Sequence, residues 1–206
     1  MDQDTRASHW QKVWTDKPAD RTSWFQDEPA PSLAMIDAAA ISPPASVIDV
    51  GGGASALADR LLDRGFADLA VLDIAPQAME RSRTRLGARA GDVRWIASDI
   101  LTWSPDRRWD VWHDRALVHF LTDPAEQARY REQVTAALAP GGTAILAAFA
   151  LDGPEKCSNL PVQRHDGASL AALMGPDFRL EQEIRQDHVT PASATQRFCW
   201  CRFRRA

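Results

Sequence analysis

The sequence predicts an α/β fold: a doubly wound, mostly parallel sheet with helices on both faces and an antiparallel hairpin at its C-terminal end. Three observations lead there. From Val47 to Phe149, short apolar runs of strand length alternate with amphipathic helical segments, the pattern of parallel strands joined by crossover helices. The first run, Val47-Ile48-Asp49-Val50, passes straight into Gly51-Gly52-Gly53 and a helical segment, and a glycine turn at a helix N-terminus is where nucleotide-like ligands are seated. Beyond Phe178, two alternating stretches read as a hairpin.

The elements follow in order. Within residues 1–45, Ser8 to Trp14 reads as a short helix with Trp10, Val13 and Trp14 on one face, the i, i+3, i+4 spacing. Ser23-Trp24-Phe25-Gln26 is an aromatic cluster in a polar loop. Ser32 is expected to cap a helix through about Ala40 that buries Leu33, Ile36 and Ala40, with Pro43-Pro44 as the stop. The aromatics of this cap either cover the open sheet or form a lid over a ligand.

Residues 46–150 form the core. A helix from Ala54 to Arg64 turns Leu57, Ala58, Leu61 and Leu62 inward and Asp59, Arg60, Asp63 and Arg64 outward, with Gly65 beyond its end. Leu69 to Asp73 is a second strand, Pro76 opens a helix ending at Gly87, and Val93 to Ala97 is a third strand. Trp109 to His113 is the fourth, with His113 a core residue; Asp114-Arg115 and a short apolar helix, Ala116 to Leu121, follow. Asp123 caps a long helix whose buried ridge is Tyr130, Val134 and Leu138. Pro140-Gly141-Gly142 turns into a fifth strand, Thr143 to Phe149. In residues 151–206, Asp152 to Asp166 is too long for a simple connector, and such loops are often functional. A helix from about Ala168 to Met174 precedes the hairpin, Phe178 to His188 and Thr195 to Phe203. The whole reads as one domain.

The chain has 206 residues, 45% hydrophobic and 25% charged, with a net charge of −4. That is enough for a full core, and without a basic stripe it gives no electrostatic case for nucleic acid. No apolar run is long enough to span a bilayer, and Met1 to Trp10 lacks the apolar segment of a signal peptide. Three cysteines make no disulfide framework, which favours a reduced, cytoplasmic setting. Cys199 and Cys201 share a strand face, yet no Cys-x-x-Cys or His-rich spacing completes a tetrahedral site, so no metal is expected.

In a doubly wound sheet the ligand lies beyond the C-terminal ends of the strands. Four of those ends carry carboxylates here: Asp49, Asp73, Asp99 and Asp114. Aspartate caps turns readily, but four in register around one crevice go beyond turn chemistry. They would repel a pyrophosphate and attract a nucleoside carrying an ammonium and a sulfonium. Asp73, roughly 20 residues past the glycine turn, stands where a ribose-binding acid is needed. Asp99 is suited to accept from an adenine amino group, and Ile74 and Ile100 offer apolar faces to the base.

The ordered set Asp49-Val-Gly-Gly-Gly, Leu72-Asp73-Ile74, Ser98-Asp99-Ile100, Trp109-Asp110-Val111 and Leu138-Ala-Pro-Gly-Gly resembles the class I S-adenosylmethionine-dependent methyltransferases over about residues 45–203. One departure is Ser55, where that family commonly has a further glycine. The resemblance implies a Rossmann-like seven-stranded sheet, with the hairpin supplying the reversed seventh strand. It implies S-adenosylmethionine as cofactor, held by Trp14, Asp49, Gly51, Gly52, Gly53, Asp73, Ile74, Ser98, Asp99, Ile100 and Asp114. Trp10-Gln-Lys-Val-Trp14 and Asp114-Arg-Ala-Leu-Val118 resemble the thiopurine and thiol-type members, which implies a small-molecule acceptor with S, Se or N as nucleophile. The same opening is similar to some protein-lysine methyltransferases.

Candidate acceptor-side residues are Trp10, Trp24, Phe25, Arg115, Cys157 and His165, and candidate acid–base residues are Asp114 and His119, with His165 a further candidate base. A monomer or weak dimer is expected. Two other readings stay open: a nicotinamide oxidoreductase, since Gly51, Gly53 and Ala56 also satisfy the dinucleotide fingerprint, and a catalytically inactive binding module.

Overall fold

The structure, a computed structural model, describes residues 3–206; Met1 and Asp2, the first two positions of the expected cap, lie outside the described residues. Strands β1 (Val47–Val50), β2 (Leu69–Asp73), β3 (Val93–Ala97), β4 (Trp109–Arg115) and β5 (Leu138–Phe149) are mutually parallel, and β8 (Phe178–Val189) and β9 (Thr195–Arg205) close the sheet antiparallel. The seven lie in the order β3-β2-β1-β4-β5-β9-β8. The order reverses at β1, so the C-terminal ends of β1 and β4 border the crevice. A two-strand ribbon, β6 (Lys156–Cys157) and β7 (Leu160–Pro161), folds the long loop back on itself.

Alternation along each strand sends side chains into two separate cores. On β1, Ile48 and Val50 join Trp112, Tyr130, Val134, Leu146 and Phe203 beneath α5 (Pro124–Ala137) and α6 (Gly167–Met174). Val47 joins Ile36, Leu57, Leu61, Met79, Phe149 and Trp200 beneath α2 (Ala30–Ala38), α3 (Leu57–Asp63) and α4 (Pro76–Leu86). Along β9 the two faces divide as the alternation predicts, with Phe198 and Trp200 in one core and Cys199, Cys201 and Phe203 in the other.

Several boundaries differ from expectation, each for a local reason. The helix after the glycines starts at Leu57, not Ala54, because the Ser55 amide donates to Gly52 O at 2.7 Å and its hydroxyl accepts from the Leu57 amide at 3.1 Å, prolonging the turn. Asp59 is not outward: it is buried beneath α4, where Arg85 grips it through Nε at 2.9 Å and Nη2 at 2.7 Å. Ala40 is exposed with φ of 53°, and Met35 takes the core place expected of it. The helix after β4 shrinks to one turn, Val118–Phe120, since Ala116 has φ of 73°. Leu138 leaves the helix to begin β5, paired with Trp109.

The N-terminal cap crosses the C-terminal edge of the sheet. Helix α1 (Gln3–Asp16) extends beyond the expected Ser8 start. It is tied down near its start by Arg6, which pairs with Asp99 at 3.1 Å and Glu126 at 3.2 Å. At its other end Arg81 donates to the carbonyls of Trp14 and Lys17, with its guanidinium 5.4 Å from the Trp14 ring.

Candidate active site

Beneath α1 lies a cavity of about 820 Å³, mouth included. Its floor is built from strand ends: Gly51 after β1, Asp73 and Ile74 at the end of β2, Ser98, Asp99 and Ile100 after β3, and Arg115, Ala116 and Leu117 at the end of β4. Its roof is Arg6, Trp10 and Trp14 from α1, at i, i+4 and i+8, together with Trp24, Phe120 and Cys157. The aromatics meet edge to face: Trp10 with Phe120 at 4.9 Å, Trp10 with Trp24 at 6.1 Å, and Trp14 with Trp24 at 5.7 Å between centroids. These contacts turn the cap into a wall of the site. An adjoining cavity of about 550 Å³ shares Trp14, Trp24, Gly51 and Arg115 and adds Phe25, Asp49, Gly52 and His113.

The glycine turn is shaped for close approach. Gly51 has φ of +72° and Gly53 +42°, backbone that L side chains rarely adopt. A Cβ on Gly53 would meet Asp73 Oδ2 at 2.9 Å, so the turn lies directly against the expected ribose acid. Asp49 does not project freely into the crevice. Its Oδ1 lies 2.7 Å from His113 Nδ1, and His113 Nε2 lies 3.0 Å from Ser32 Oγ. This chain from α2 through β4 to β1 fixes the carboxylate's orientation.

Asp73 is buried, and one oxygen accepts from the Ala75 amide at 2.8 Å. Burial, aided by the nearby Asp49 charge, raises its pKa from 3.8 to about 7. Asp99 holds the Leu101 amide at 2.9 Å through Oδ1, while Oδ2 faces Arg6; the expected adenine acceptor is thus already bridged to the cap. Cys157 sits buried in the roof on β6, where desolvation pushes its thiol up to about 11, so it remains a neutral thiol near pH 7.

Three expectations are corrected by the geometry. Asp114 lines neither cavity. Its side chain points into the opposite core, accepting from the amides of Leu117 at 2.8 Å and Val118 at 3.3 Å and from the Tyr130 hydroxyl at 2.6 Å. Burial raises its pKa to about 6, but its acceptor capacity is spent on holding the turn after β4. His119 is fully buried, packed against Phe149 with centroids 4.6 Å apart, and burial drives its pKa down to about 3. His165 lies beside Ser169 Oγ at 3.2 Å with its pKa lowered to about 4 by burial. Neither histidine lines either of these two cavities, and burial holds both neutral near pH 7.

The sequence reading missed Arg6, Leu117, Phe120 and Leu121 as cavity residues and His113 as the partner of Asp49. For Arg6 a signal existed: it continues the Trp10 and Trp14 stripe one turn earlier. Among the described residues no group of three or more His, Cys, Asp or Glu is arranged to hold a metal ion, and no helix is long and apolar enough to cross a membrane.

Asp73 offers a direct test. On the expectation that Asp73 holds the ribose, replacing it with alanine should weaken S-adenosylhomocysteine binding by about 1–3 kcal/mol. The pH dependence has a defined sign. Because the folded pKa is raised, this group's contribution to stability is fully present below pH 3.8 and is lost as pH rises through about 7. A ribose held by Asp73 would donate its hydroxyls to the ionised form, so ligand affinity is expected to move the other way, falling by up to about tenfold per pH unit below 7. Calorimetry from about pH 5.5 to 8.5, spanning the shifted pKa, reads the affinity, and thermal melts over the same range read the stability. Asp73→Asn should flatten the slope; an unchanged slope would remove Asp73 from the ribose site.

Residues 47–142 match the family described as methyltransferase domain. Nodulation protein S of Rhizobium tropici is 30% identical over 100 residues, covering 48% of this chain and 41% of that protein. The chain therefore aligns with under half the length of the curated relative. The N-methyltransferase NodS of Bradyrhizobium japonicum WM9, crystallised with S-adenosylhomocysteine, superposes with a TM-score of 0.73 at 16% identity, covering 95% of this chain and 97% of that one. The 1,6-didemethyltoxoflavin N1-methyltransferase of Burkholderia thailandensis, crystallised with that compound and S-adenosylhomocysteine, gives a TM-score of 0.68 at 22% identity over 98% of this chain and 84% of that one.

Proposed function

We infer that this chain, which carries a match to a methyltransferase domain over residues 47–142 and shares the fold of N-methyltransferase NodS, is a class I S-adenosylmethionine-dependent methyltransferase that moves a methyl group to a small-molecule nucleophile. The observation that carries the reading is the trio of carboxylates, Asp49, Asp73 and Asp99, around a glycine-lined crevice roofed by tryptophans. At the glycine turn a pyrophosphate would lie against the Asp49 and Asp73 side chains, which pack on Gly52 and Gly53. Among the described residues no arginine or lysine forms an ion pair with either carboxylate, and this disfavours the nicotinamide alternative.

In this proposal Asp73 holds the ribose, Ile74 and Ile100 flank the base, and Gly51 and Asp49 face the amino-acid end. Trp14 and Ser98 complete the cofactor wall, and Trp10, Trp24, Phe25, Arg115, Phe120 and Cys157 border the acceptor. When bound, S-adenosylmethionine supplies an electrophilic sulfonium methyl. The protein's share is alignment of the nucleophile with that carbon and exclusion of water, which the aromatic roof provides.

Neither His119 nor His165 faces the cavities, His113 is engaged on both ring nitrogens, and Cys157 is protonated near neutral pH. The acceptor therefore brings its own lone pair, as a thiolate, a selenolate or a nitrogen that is unprotonated at pH 7. A protein lysine, protonated in solution near pH 7, fits a cavity without a free histidine base less well. Support for a small acceptor also comes from the toxoflavin-type neighbour, crystallised with a small molecule.

Calorimetry with S-adenosylhomocysteine and with NADH tests the cofactor. Saturable binding of the first alone is expected; NADH binding alone would end the proposal. A screen of thiols, selenols and nitrogen heterocycles with methyl-labelled cofactor should then yield labelled product, and tight cofactor binding without turnover on any of them would favour a non-catalytic module.

A further inference from the structure

Arg115 is the unusual charge of the site. It follows Asp114 on β4, and the strand's alternation sends it to the opposite face, into the crevice, where it lines both cavities. Its Nη1 donates to the Trp24 carbonyl at 2.8 Å. Its Nε and Nη2 are buried and have no hydrogen-bond partner, and among the described residues no carboxylate forms an ion pair with it. Arg6, the other arginine of the cavity, has Asp99 and Glu126. The nearest help comes from Phe198, whose ring lies 5.2 Å from the Arg115 guanidinium, and from more distant Asp49, which is already engaged with His113.

A desolvated guanidinium with two orphan donors is costly to keep. Burial pulls its pKa down only to about 10, so the charge persists at pH 7. The surroundings also say which end of the crevice it serves. Asp73 and Asp99, the nucleoside side, stand at the ends of β2 and β3, on one flank of β1. Arg115 stands on the other flank, packing on Phe198 of β9 with Cys157 of β6 beside it. Both of those partners belong to the chain after Ala150, away from the cofactor strands.

We infer that Arg115 recognises an anionic group on the methyl acceptor, and that the acceptor is a small aromatic or conjugated molecule bearing a carboxylate or comparable oxyanion. The inference rests on the methyl-transfer reading, whose acceptor it specifies. The two unmet donors match a planar carboxylate in fork geometry. The ring-bearing part of such a molecule meets Trp10, Trp24 and Phe120, which line the same cavity as Arg115.

The test uses the full chain saturated with S-adenosylhomocysteine, so that the cofactor's own carboxylate site is filled. Benzoate and benzamide, matched in shape but not in charge, are titrated while tryptophan fluorescence is followed. Benzoate should bind about tenfold more tightly or better. Arg115→Met should erase that preference and Arg115→Lys should retain part of it, with S-adenosylhomocysteine affinity near wild type in both as the check on folding. Equal binding of the two probes, no benzoate binding, or a preference that survives in Arg115→Met would each overturn the inference while leaving methyl transfer intact. Loss of S-adenosylhomocysteine affinity in folded Arg115→Lys would assign the guanidinium to the cofactor's carboxylate and overturn it too. Failure of the wild-type protein to bind S-adenosylhomocysteine would instead sink the methyl-transfer reading.

Discussion

Asp114→Ala is expected to destabilise the protein by about 4 kcal/mol, because three buried donors lose their acceptor at once and each orphan costs roughly 1–3 kcal/mol. The donors are the amides of Leu117 and Val118 and the hydroxyl of Tyr130, which itself accepts from Trp112 Nε1 at 3.1 Å. For a domain of this size that loss lowers the melting temperature by roughly 10 °C, readable by circular dichroism. Asp114→Asn separates structure from chemistry. Its amide oxygen still accepts from both backbone amides, and only the Tyr130 hydroxyl proton loses its acceptor, so the cost should fall to about 1–3 kcal/mol. Turnover on whichever acceptor the labelled-cofactor screen identifies should persist. An Asp114→Asn variant that folds, binds S-adenosylhomocysteine and transfers no methyl would restore an acid–base role to this carboxylate.

Gly52→Ala should reduce S-adenosylhomocysteine affinity by about 100-fold or more, the equivalent of about 3 kcal/mol. A Cβ there lies 2.4 Å from Asp49 Oδ2, 2.7 Å from its Cγ and 3.0 Å from Val71 Cγ1, distances at which something must move. Val71 is locked in β2 beside β1, so the carboxylate yields. Its Oδ1 is held by His113 at 2.7 Å, and swinging away breaks that contact and leaves buried polar atoms on both residues without their partner, a loss of about 1–3 kcal/mol for each. Some of this falls on stability and the rest on the cofactor's amino-acid end. Calorimetry and thermal melts on the same variant divide the two. Wild-type values in both would show that Asp49's present orientation does not matter for binding.

The core of the fold was open to reading because its periodicities are local. A continuous apolar run such as Leu69 to Leu72, the body of β2, has no amphipathic option and goes to a doubly covered sheet. Pro76, Asp123 and Gly65 act through backbone angles and capping bonds within a turn of themselves. The carboxylates Asp49, Asp73 and Asp99 were visible for the same reason, since strand ends converge in any doubly wound sheet.

What the chain's own pattern determined is therefore the strand–turn–helix order, the glycine cradle and the acidic crevice. Only tertiary structure decided the side-chain assignments that hinge on one residue's facing. Asp114 and Arg115 are neighbours in sequence, yet pleating sends one into a satisfied core and the other into the cavity with two donors unmet. Likewise His113, expected as a packing residue, reaches Asp49 because parallel register sets the two side by side across β1 and β4. His119 was drawn inward by a contact remote in sequence, with Phe149, and His165 by its seat at the start of α6 beside Ser169. Spacing can say that such groups exist near a site; partners from other elements fix which of them face it, because burial and hydrogen bonding are set by the whole packed sheet.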